Sequence, residues 1–402
     1  MAKAATATVP ASAVGPASGR PPAVLQVLPA LVTGGVERGT VDMAKALAKA
    51  GWVSYVASEG GPMVRELERA GAKHITLPLA SKNPWRMGKN TDRLEQLIRE
   101  LPIDLVHVRS RAPAWSVRAA ALRCGVPLVT TFHNAYKSHN WFRKLWAGPM
   151  GKGDMVVAIS DFVAEYAHAK FGVARHKLVT IPRGTDLSRF DPSRVYPDRI
   201  AQLAQQWRLV DGLPVILLPG RLTRWKGHAV LLRALALLAK QRGAADFIAV
   251  LSGDHQGRDS YVDELKLLTN QLGLNAAVRL PGDCKDMPAA FMLADVVVSA
   301  STEPEGFGRI AVEAQAMGKP VIATDHGGAR ETVLPGETGW LVPPNDPAAL
   351  ARALDEAIRL TPDRRLQITE RARRHVADHF TVDAMCRAYL QVYTRLLFPD
   401  HA

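Results

Sequence analysis

Cysteine is scarce in this chain, which has only three cysteines in 402 residues. Cys124, Cys284 and Cys386 form no Cys-x-x-Cys pair, and their surroundings show no Cys/His spacing typical of zinc ligands. The sequence therefore predicts neither a disulfide scaffold nor a zinc site. It is typical of a protein from a reducing cytoplasm.

Long apolar runs are also missing. No stretch approaches the roughly twenty apolar residues that cross a bilayer. Near the amino terminus, Pro10, Pro16, Pro21 and Pro22 interrupt the apolar region that a signal peptide requires. We therefore expect residues 1–22 to form a flexible tail, and we expect the protein to be cytoplasmic.

The chain has no acidic excess: 51 Lys and Arg against 38 Asp and Glu give a formal net charge of +13. Such a charge favours an anionic partner, which is a nucleic acid, a membrane surface or a phosphorylated small molecule. The basic residues are scattered, and we find no zinc finger, RNP signature or basic zipper. We therefore expect a phosphate-rich substrate and an anionic membrane surface, and no nucleic acid.

Short β-branched runs alternate with amphipathic helical segments along the chain. This pattern is typical of parallel strands connected by helices. The runs begin at Ala23, Trp52, Ile103, Pro127, Asp154 and Lys177, and again, after a polar stretch at about 188–212, at Pro214, Phe247, Ala277, Ala294 and Lys319.

The length and the two series of runs predict an α/β protein with two doubly wound, Rossmann-like parallel-sheet domains. We place the first domain at residues 23–195 and the second at residues 196–380. The final segment, residues 381–402, reads as a helix that crosses back to the first domain.

Two strand-to-helix turns carry candidate binding residues, because ligands bind beyond the carboxyl ends of parallel strands. In "LVTGGVERGT", Gly34 and Gly35 let the backbone approach a phosphate or sugar, although a plain tight turn explains them equally well. In "GRLTRWKG", Arg221 and Lys226 could together neutralise a diphosphate, and the alternative is a solvated basic turn.

The stretch "EPEGFGRIAVEAQAMGKPV" places Glu305 and Glu313 around a Gly-Phe-Gly turn. If a helix opens near Phe307, its free N–H groups lie between the two carboxylates and favour an anion. Glu313 then suits a ribose and Glu305 a sugar, while Gly306 and Gly308 let the backbone come close. A helix with two solvent-facing glutamates explains the residues nearly as well.

Three motifs together, "GRLTRWKG", "EPEGFGRIAVEAQAMGKPVIATDHGG" and "IPRGTDLSRF", resemble the retaining glycosyltransferases of family four. The resemblance runs from about Ala23 to the carboxyl terminus and implies the GT-B fold, in which two Rossmann-like domains face each other. The motifs "GGVERGT", "SKNPWR", "HVRSRAPAW", "LPGRLTRWKG" and "SASTEPEGFGR" are similar to those of the lipopolysaccharide-core subgroup.

This resemblance implies a function. The chain would move a sugar from a nucleotide diphosphate sugar to a hydroxyl of a lipopolysaccharide-core or related cell-envelope glycan, so the acceptor is a glycolipid or oligosaccharide. Retention of the anomeric configuration is likewise an implication of the family. The alternatives are another GT-B sugar-phosphate enzyme, such as an epimerase or a phosphorylase, or a catalytically silent protein that binds sugar nucleotides.

The resemblance also implies roles in the second domain. Arg221 and Lys226 would bind the donor diphosphate and Glu313 the ribose, while Glu305 would act near the transferred sugar. Gly306, Phe307 and Gly308 belong to the same donor-binding motif.

Two residues of the first domain match family positions. His133, in "TTFHN", matches the active-site histidine that supports the sugar and its developing positive charge, although a lone histidine is more often structural. Gly35 matches the loop that faces the donor phosphate and the acceptor. In "IPRG" this chain has Arg183 where the family commonly has Asn.

An Asp-x-Asp pair is absent from the sequence. That pair is the usual ligand of a metal that bridges a diphosphate, so we expect charge neutralisation by Arg221, Lys226 and a helix terminus. The sequence predicts no required metal and no cofactor.

An acceptor in the cytoplasmic leaflet would require a peripheral location on the inner face of the membrane. Basic residues of the first domain are candidates for docking: Arg109, Arg111, Lys137, Arg143 and Lys144. Aromatic residues near them would either anchor the protein at the interface or belong to the core: Trp141, Phe142 and Trp146.

Overall fold

The computed structural model describes residues 19–32, 34–81, 83–135, 145–242 and 246–401. Contacts divide the chain into two compact units, of which the first comprises residues 1–181 with 383–402 and the second residues 182–382. Each unit is built around one parallel sheet.

The strands of the described residues follow the chain in two series. They are β1 (Ala23–Val27), β2 (Val53–Ser58), β3 (Lys73–Thr76), β4 (Leu105–Val108), β5 (Leu128–Phe132), β6 (Met155–Ala158), β7 (Leu178–Thr180), β8 (Val215–Pro219), β9 (Ile248–Ser252), β10 (Val278–Gly282), β11 (Val296–Ser299), β12 (Val321–Thr324) and β13 (Gly339–Val342).

Helices connect these strands. Those described are α1 (Gly35–Lys49), α2 (Val64–Arg69), α3 (Pro84–Glu100), α4 (Ala114–Cys124), α5 (Asp161–Phe171), α6 (Pro197–Gln206), α7 (His228–Arg242), α8 (Asp259–Gln271), α9 (Met287–Leu293), α10 (Arg309–Ala316), α11 (Ala329–Thr332), α12 (Pro347–Ile358), α13 (Pro362–His379) and α14 (Val382–Leu397). Short 3-10 turns lie at Gly148–Gly151, Arg175–Lys177, Pro192–Arg194, Arg224–Lys226 and Pro399–His401.

The first sheet has seven strands in the order β3-β2-β1-β4-β5-β6-β7. The second has six strands in the order β10-β9-β8-β11-β12-β13. Each order reverses direction once, between β1 and β4 in the first unit and between β8 and β11 in the second. These are the switch points at which doubly wound sheets bind ligands.

The strands next to each switch point are almost completely buried. Strands β1 (AVLQV) and β8 (VILLP) are buried over their whole length. Helices cover both faces of a parallel sheet, so such strands are mostly apolar rather than alternating, and the buried Gln26 of β1 donates to the Thr40 carbonyl at 3.2 Å. The predicted α/β fold with two doubly wound parallel sheets is confirmed.

Two edge strands were not predicted. Strand β3 (KHIT) is only partly buried and carries polar residues, and β13 (GWLV) begins at a glycine. Each pairs along one side only, because it lies at the end of its sheet. Neither β3 nor β13 has the β-branched run that revealed the other strands, including the edge strands β7 and β10.

The junction between the units lies at residues 181/182 rather than near residue 195. Residues 182–195 pack with the second unit because the Phe190 ring, almost fully buried, lies 6.1 Å from the Phe291 ring. The sequence placed the boundary later, near residue 195, because the stretch at about 188–212 is polar.

The amino-terminal tail ends earlier than predicted. Arg20 donates two hydrogen bonds to the Asp104 carboxylate, at 2.8 and 2.7 Å, and the Pro22 carbonyl accepts from Val53 N at 2.8 Å. Residues 20–22 therefore belong to the first unit. The remainder of the predicted tail, residues 1–18, lies outside the described residues.

Helix α14 packs with the first unit, although it follows the second unit in sequence. The Tyr393 hydroxyl lies 2.7 Å from His107 Nδ1, and the other ring nitrogen of His107 lies 2.7 Å from Thr131 Oγ1. Burial holds the pKa of His107 well below its ordinary value, so the ring is neutral. These buried hydrogen bonds fix α14 against β4 and β5.

Arg109 is part of the same interior. Its side chain is 1% exposed, donates to Gln26 Oε1 at 3.1 Å and lies over the Tyr389 ring. The hypothesis that Arg109 contacts a membrane is therefore wrong, because α14 covers it. Among the described residues, no helix is both long enough and apolar enough to cross a membrane.

Candidate functional site

The switch point of the second unit brings two loops together. One loop, residues 220–227, follows β8, and the other, residues 300–308, follows β11. Strands β8 and β11 pair in parallel, so their carboxyl ends lie at the same edge of the sheet. The predicted basic turn and the predicted glutamate motif are thereby adjacent.

Backbone contacts lock the two loops. Thr302 N donates to the Trp225 carbonyl at 2.7 Å. Gly227 adopts a φ of +76°, and a Cβ at this position would lie 1.8 Å from the Ala300 carbonyl oxygen. Only glycine allows both this backbone conformation and this close approach. The turn that carries Lys226 is therefore held against the segment that carries Glu305.

Lys226 and Glu305 form a largely buried ion pair at this edge of the sheet. Lys226 Nζ lies 2.7 Å from Glu305 Oε1, and the side chains are only 13% and 17% exposed. Ser301 Oγ donates to the same carboxylate oxygen, and Ser299 Oγ lies 3.4 Å from it. A buried charge needs a partner and further hydrogen bonds, and here both are present.

The environment sets the charge of Glu305. Burial alone raises the pKa of a carboxyl group, but the attraction of Lys226 and the hydrogen bonds from Lys226 and Ser301 outweigh it. The pKa of Glu305 is therefore below its ordinary value. The group is an anion fixed in one position.

Glu313 lies in a different environment on α10. The residue is 9% exposed, and Arg309 Nε lies 3.3 Å from Glu313 Oε1. Burial raises the pKa of Glu313, while the charges of Arg309 and Arg189 oppose the rise. The alternative of two solvent-facing glutamates is wrong, because neither side chain is exposed.

The turn between the glutamates begins helix α10. Gly308 is the residue before the helix and adopts a φ of +86°, which favours glycine. The helix begins at Arg309, two residues later than Phe307. The Phe307 ring faces the interior, where it lies edge-on to the Phe380 ring at 5.5 Å. Phe307 therefore anchors the turn with its side chain.

A second turn with two glycines, Gly327 and Gly328, packs against the backbone of Glu305. Gly328 N donates to the Glu305 carbonyl at 2.9 Å. A Cβ at Gly327 would lie 2.4 Å from the same carbonyl oxygen, and a Cβ at Gly328 would lie 2.5 Å from Phe307 Cα. The loop after β12 thus packs directly against the glutamate motif.

The two cations of the basic turn differ in burial. Arg221 is exposed, whereas Lys226 is largely buried in its pair with Glu305. Arg224, between them, is paired with Glu264 on α8. The basic turn is therefore not simply solvated, because Lys226 is held in its ion pair with Glu305 while Arg221 is exposed to solvent.

The structure places His133 and Gly35 in the first unit and all the other predicted site residues in the second. His133 directly follows β5, and Gly35 is the first residue of α1, after β1. Both positions are at the carboxyl edge of the first sheet.

Among residues 19–32, 34–81, 83–135, 145–242 and 246–401, no group of three or more His, Cys, Asp or Glu side chains is arranged to hold a metal ion. Arg221 and Lys226 are two cations at this edge of the second sheet that could neutralise a phosphate group.

Several residues of the site were not singled out from the sequence. They are Ser299, Ser301, Arg309 and Gly328, whose partners are Glu305 or Glu313. Arg309 was detectable in principle, since it precedes Glu313 by one helical turn. The serines contact Glu305 through the irregular fold of their own segment and Gly328 through the packing of the loop after β12, and neither arrangement has a periodic sequence pattern.

Of the residues proposed for membrane contact, Trp146 is partly buried and its carbonyl accepts from Trp115 Nε1 at 2.9 Å. The others of that set, apart from Arg109 and Arg111, lie outside the described residues: Lys137, Trp141, Phe142, Arg143 and Lys144.

Comparisons with known proteins agree with this architecture. Residues 200–375 match the family described as Glycosyl transferases group 1, and residues 33–189 match Glycosyltransferase Family 4. A D-inositol 3-phosphate glycosyltransferase of Xylanimonas cellulosilytica is 33% identical over 310 residues, which cover 73% of this chain and 72% of the relative.

Two solved structures are similar over nearly the whole chain. A glycosyltransferase from Rickettsia africae is 38% identical, covers 94% of this chain and 99% of its own, and superposes with a TM-score of 0.87. Anabaena HepE, solved in complex with UDP and glucose, is 25% identical, covers 92% and 99%, and has a TM-score of 0.78. The chain is therefore a GT-B glycosyltransferase and belongs to the group 1 glycosyltransferases with a family 4 amino-terminal domain.

Proposed function

We propose that this glycosyltransferase moves a sugar, with retention of its anomeric configuration, from a nucleoside diphosphate sugar to an acceptor hydroxyl. The observation that carries the proposal is the buried Lys226–Glu305 pair at the switch point, with buried Glu313 on the adjoining helix. Similarity to Anabaena HepE, whose structures contain UDP and UDP-glucose, supports a nucleotide sugar as the donor.

Each side chain has a place in this chemistry. Lys226 and Arg221 lie where the diphosphate leaves, and with the amino terminus of α10 they neutralise the charge that develops on it. Glu313 accepts hydrogen bonds from the ribose hydroxyls. Glu305 is held as an anion beside Lys226, so it stabilises the positive charge that grows on the sugar as the bond to the diphosphate breaks.

His133 has its role in the first unit. We assign it to the sugar side of the reaction, where an imidazole at the carboxyl edge of a sheet can donate or accept a proton. Gly35 leaves the start of α1 open to a phosphate or sugar. The proposal requires no metal ion and no cofactor.

For the acceptor we propose a hydroxyl of a lipopolysaccharide-core or related envelope glycan, on the strength of the loop motifs named above. The named relatives favour a second candidate, because they are D-inositol 3-phosphate glycosyltransferases at 31–34% identity. Both acceptors are anionic, as the net charge of +13 favours.

Transfer assays distinguish these acceptors. Purified enzyme is given UDP-, GDP- and ADP-sugars with either a lipid A–core oligosaccharide or inositol 3-phosphate, and products are analysed by mass spectrometry. NMR of the new linkage reports its configuration. Retained configuration on the core acceptor agrees with the proposal. An inverted product contradicts the mechanism, transfer to inositol phosphate alone contradicts the acceptor, and the absence of any transfer contradicts the function.

We also propose that the first unit docks on anionic membranes. At the start of α3, Trp85 is 85% exposed, and Arg86 and Lys89 beside it are exposed as well. Each basic residue near an anionic leaflet contributes about 1 kcal/mol, and salt screens this attraction. We expect co-sedimentation with phosphatidylglycerol vesicles that weakens at high salt and in Arg86→Glu. Equal binding to neutral vesicles would contradict docking by charge.

A further inference from the structure

Arg309 lies where its own helix does not favour a cation. It is the first residue of α10, directly after Gly308, and the first turn of the helix contains no acidic residue. The free N–H groups at a helix amino terminus carry partial positive charge, which repels a guanidinium. Its ion pair with Glu313 also has the less favourable order, because the basic residue precedes the acidic one by four positions. Helix stability therefore does not explain Arg309.

The pair joins a partly exposed cation to a buried carboxylate. Arg309 Nε lies 3.3 Å from Glu313 Oε1, and the two side chains are 45% and 11% exposed. Among the described residues, none donates a hydrogen bond of good geometry to the Glu313 carboxylate, whereas Glu305 accepts from both Lys226 and Ser301. An ion pair with an exposed partner contributes little to stability. Arg309 therefore acts mainly on the state of the buried carboxylate.

Two positive charges act on Glu313. Burial raises the pKa of this carboxyl group, and the charges of Arg309, on the same helix, and of Arg189, on the segment before α6, oppose the rise. The elements that pack against α10 are β11, β12, α11 and α13, and within the part of the chain that the structure describes they add no further charge that acts on Glu313. Arg309 contacts the carboxylate directly, so it fixes its position as well as favouring its charged form.

We propose that Arg309 is a positioning residue for the donor, which holds the Glu313 carboxylate in the place that the ribose hydroxyls require. This step rests on the proposed function, which assigns the ribose to Glu313. An ionised carboxylate only accepts hydrogen bonds and can accept from both ribose hydroxyls, whereas a protonated carboxyl group has lost part of this capacity. Arg309 acts through Glu313 and needs no contact of its own with the donor.

Loss of this guanidinium should have a pH-dependent effect. Without Arg309, burial is opposed by Arg189 alone of the two charges, so the pKa of Glu313 rises further and protonation begins at a higher pH. In Arg309→Leu, ribose recognition should therefore be weak at about pH 6 and should recover by about pH 9, where the carboxyl group ionises again. Arg309→Lys keeps a positive charge beside the carboxylate and should stay close to the wild type.

Calorimetric titration of the full-length protein with UDP and with 2′-deoxy-UDP tests this. The two ligands differ in one ribose hydroxyl and carry the same phosphate charge at every pH, so the ratio of their affinities reports ribose recognition. We expect the wild type to bind UDP about tenfold more tightly, because hydrogen bonds to charged groups are the stronger ones. In Arg309→Leu this ratio should fall towards one at low pH and rise with pH, and in Glu313→Gln it should be low throughout.

A double variant separates positioning from direct contact. If Arg309 acts through Glu313, adding Arg309→Leu to Glu313→Gln should leave the affinity for UDP within about twofold of that of Glu313→Gln alone. An equal loss in both backgrounds would show that Arg309 contacts the donor itself, and it would overturn the proposal. A normal ratio in Arg309→Leu at every pH, or equal wild-type affinities for UDP and 2′-deoxy-UDP, would do the same.

Arg359→Leu is the matched control. Arg359 is 65% exposed and forms the same kind of pair, four residues from Asp355 on α12. This change should leave the affinity ratio unaltered at every pH, and thermal melting checks that all variants are folded. If UDP does not bind, GDP and ADP are tested with their 2′-deoxy counterparts. If none of the three binds the wild type, the proposed function itself fails, whereas normal wild-type binding without any effect of Arg309 contradicts this inference alone.

Discussion

Glu305 and Glu313 are two glutamates of one motif with opposite electrostatics. Glu305 is held as an anion by Lys226 and Ser301, whereas burial makes ionisation of Glu313 unfavourable in the unliganded protein. A ligand that donates hydrogen bonds to Glu313 replaces the missing solvent. The first glutamate is thus suited to a charge that changes during the reaction, and the second to binding.

This difference predicts a division of kinetic effects. Glu313→Gln should raise the KM for the donor about tenfold with kcat little changed, because ribose is held equally in ground and transition states. Glu305→Gln should lower kcat about 100-fold or more, because it removes an electrostatic interaction with the transition state. Steady-state kinetics measure both, with exposed Glu337→Gln as control. Equal losses of donor affinity with normal kcat in both variants would contradict the division.

The raised pKa of Glu313 predicts a pH-dependent stability. The folded state holds this proton more tightly than the unfolded state, so the ionised carboxyl group destabilises the fold as pH rises above about its ordinary value of 4.5. Glu313→Gln should therefore melt a few degrees higher than wild type at pH 7, at about 2–4 °C per kcal/mol. The gain should shrink towards pH 4. A variant that melts lower at pH 7 would contradict this.

At the residue scale, the sequence predicted the charged residues of the candidate site but not the residues that hold them in place. The spacing of Glu305 and Glu313 and the adjacent cations are local features that can be read along the chain. Ser301 bonds Glu305, four residues along, because the turn after β11 folds back, and Arg109 is covered by α14 from a distant part of the chain. Neither an irregular turn nor a contact between distant segments leaves a periodic trace in the sequence.

At the scale of elements, the loop after β12 supports the site. Residues 325–328 pack against the glutamate motif. Gly328 has an ordinary φ of -67°. Its requirement for glycine therefore comes from the close approach of Phe307 and not from the backbone conformation. The loop therefore holds the backbone of Glu305 in place.

This contact predicts a specific effect of one methyl group. Gly328→Ala should lower transfer activity and destabilise the protein by about 1–3 kcal/mol, because the added Cβ displaces the Phe307 backbone. Gly88→Ala is the matched control, because Gly88 lies within α3 and a Cβ at this position would have no atom within 4 Å. That change should stabilise the fold by up to about 1 kcal/mol. Chemical denaturation and transfer rates measure both, and a fully active Gly328→Ala enzyme would contradict the support role.

Strands with a clear apolar run were predictable and the others were not. The central strands β1 and β8 and even the edge strands β7 and β10 were located, whereas the edge strands β3 and β13, which lack such a run, were missed. Helix α10 begins at Arg309 because Gly308 takes a left-handed conformation that a helix cannot continue. A sequence pattern locates such a start only to within a few residues.

At the scale of the whole molecule, the chain completes its units in an unusual order. The second unit is one continuous segment, residues 182–382, whereas the first is formed by residues 1–181 and 383–402. The sequence predicted the two sheets from their repeated runs. It placed the junction too late, because polarity rather than contact defined the predicted linker.

This division predicts different behaviour of the isolated segments. Residues 182–382 should fold alone with a cooperative thermal transition, whereas residues 1–181 should not, because His107 and Arg109 lose their partners on α14. Circular dichroism melting measures both. A synthetic peptide of residues 383–402 should restore the transition of the first segment. A stably folded 1–181 fragment that ignores the peptide would contradict the prediction.

Metal independence is a prediction for the complete enzyme. Because cationic side chains would neutralise the diphosphate, EDTA should leave the transfer rate within about twofold, whereas Lys226→Met should reduce it about 100-fold or more. Initial rates with and without EDTA measure this. Loss of activity that Mg²⁺ or Mn²⁺ restores would contradict the metal-free mechanism.

The return of α14 to the first unit also bears on synthesis at the ribosome. Domains usually form in the order in which they emerge, the amino-terminal one first. Here the residues that cover Arg109 and bond His107 are made after the whole of the second unit, so the first 181 residues remain without α14 while the second unit can already fold. The apolar side chains that α14 buries therefore stay exposed until α14 has been made, and we expect the nascent first segment to need chaperones during that interval.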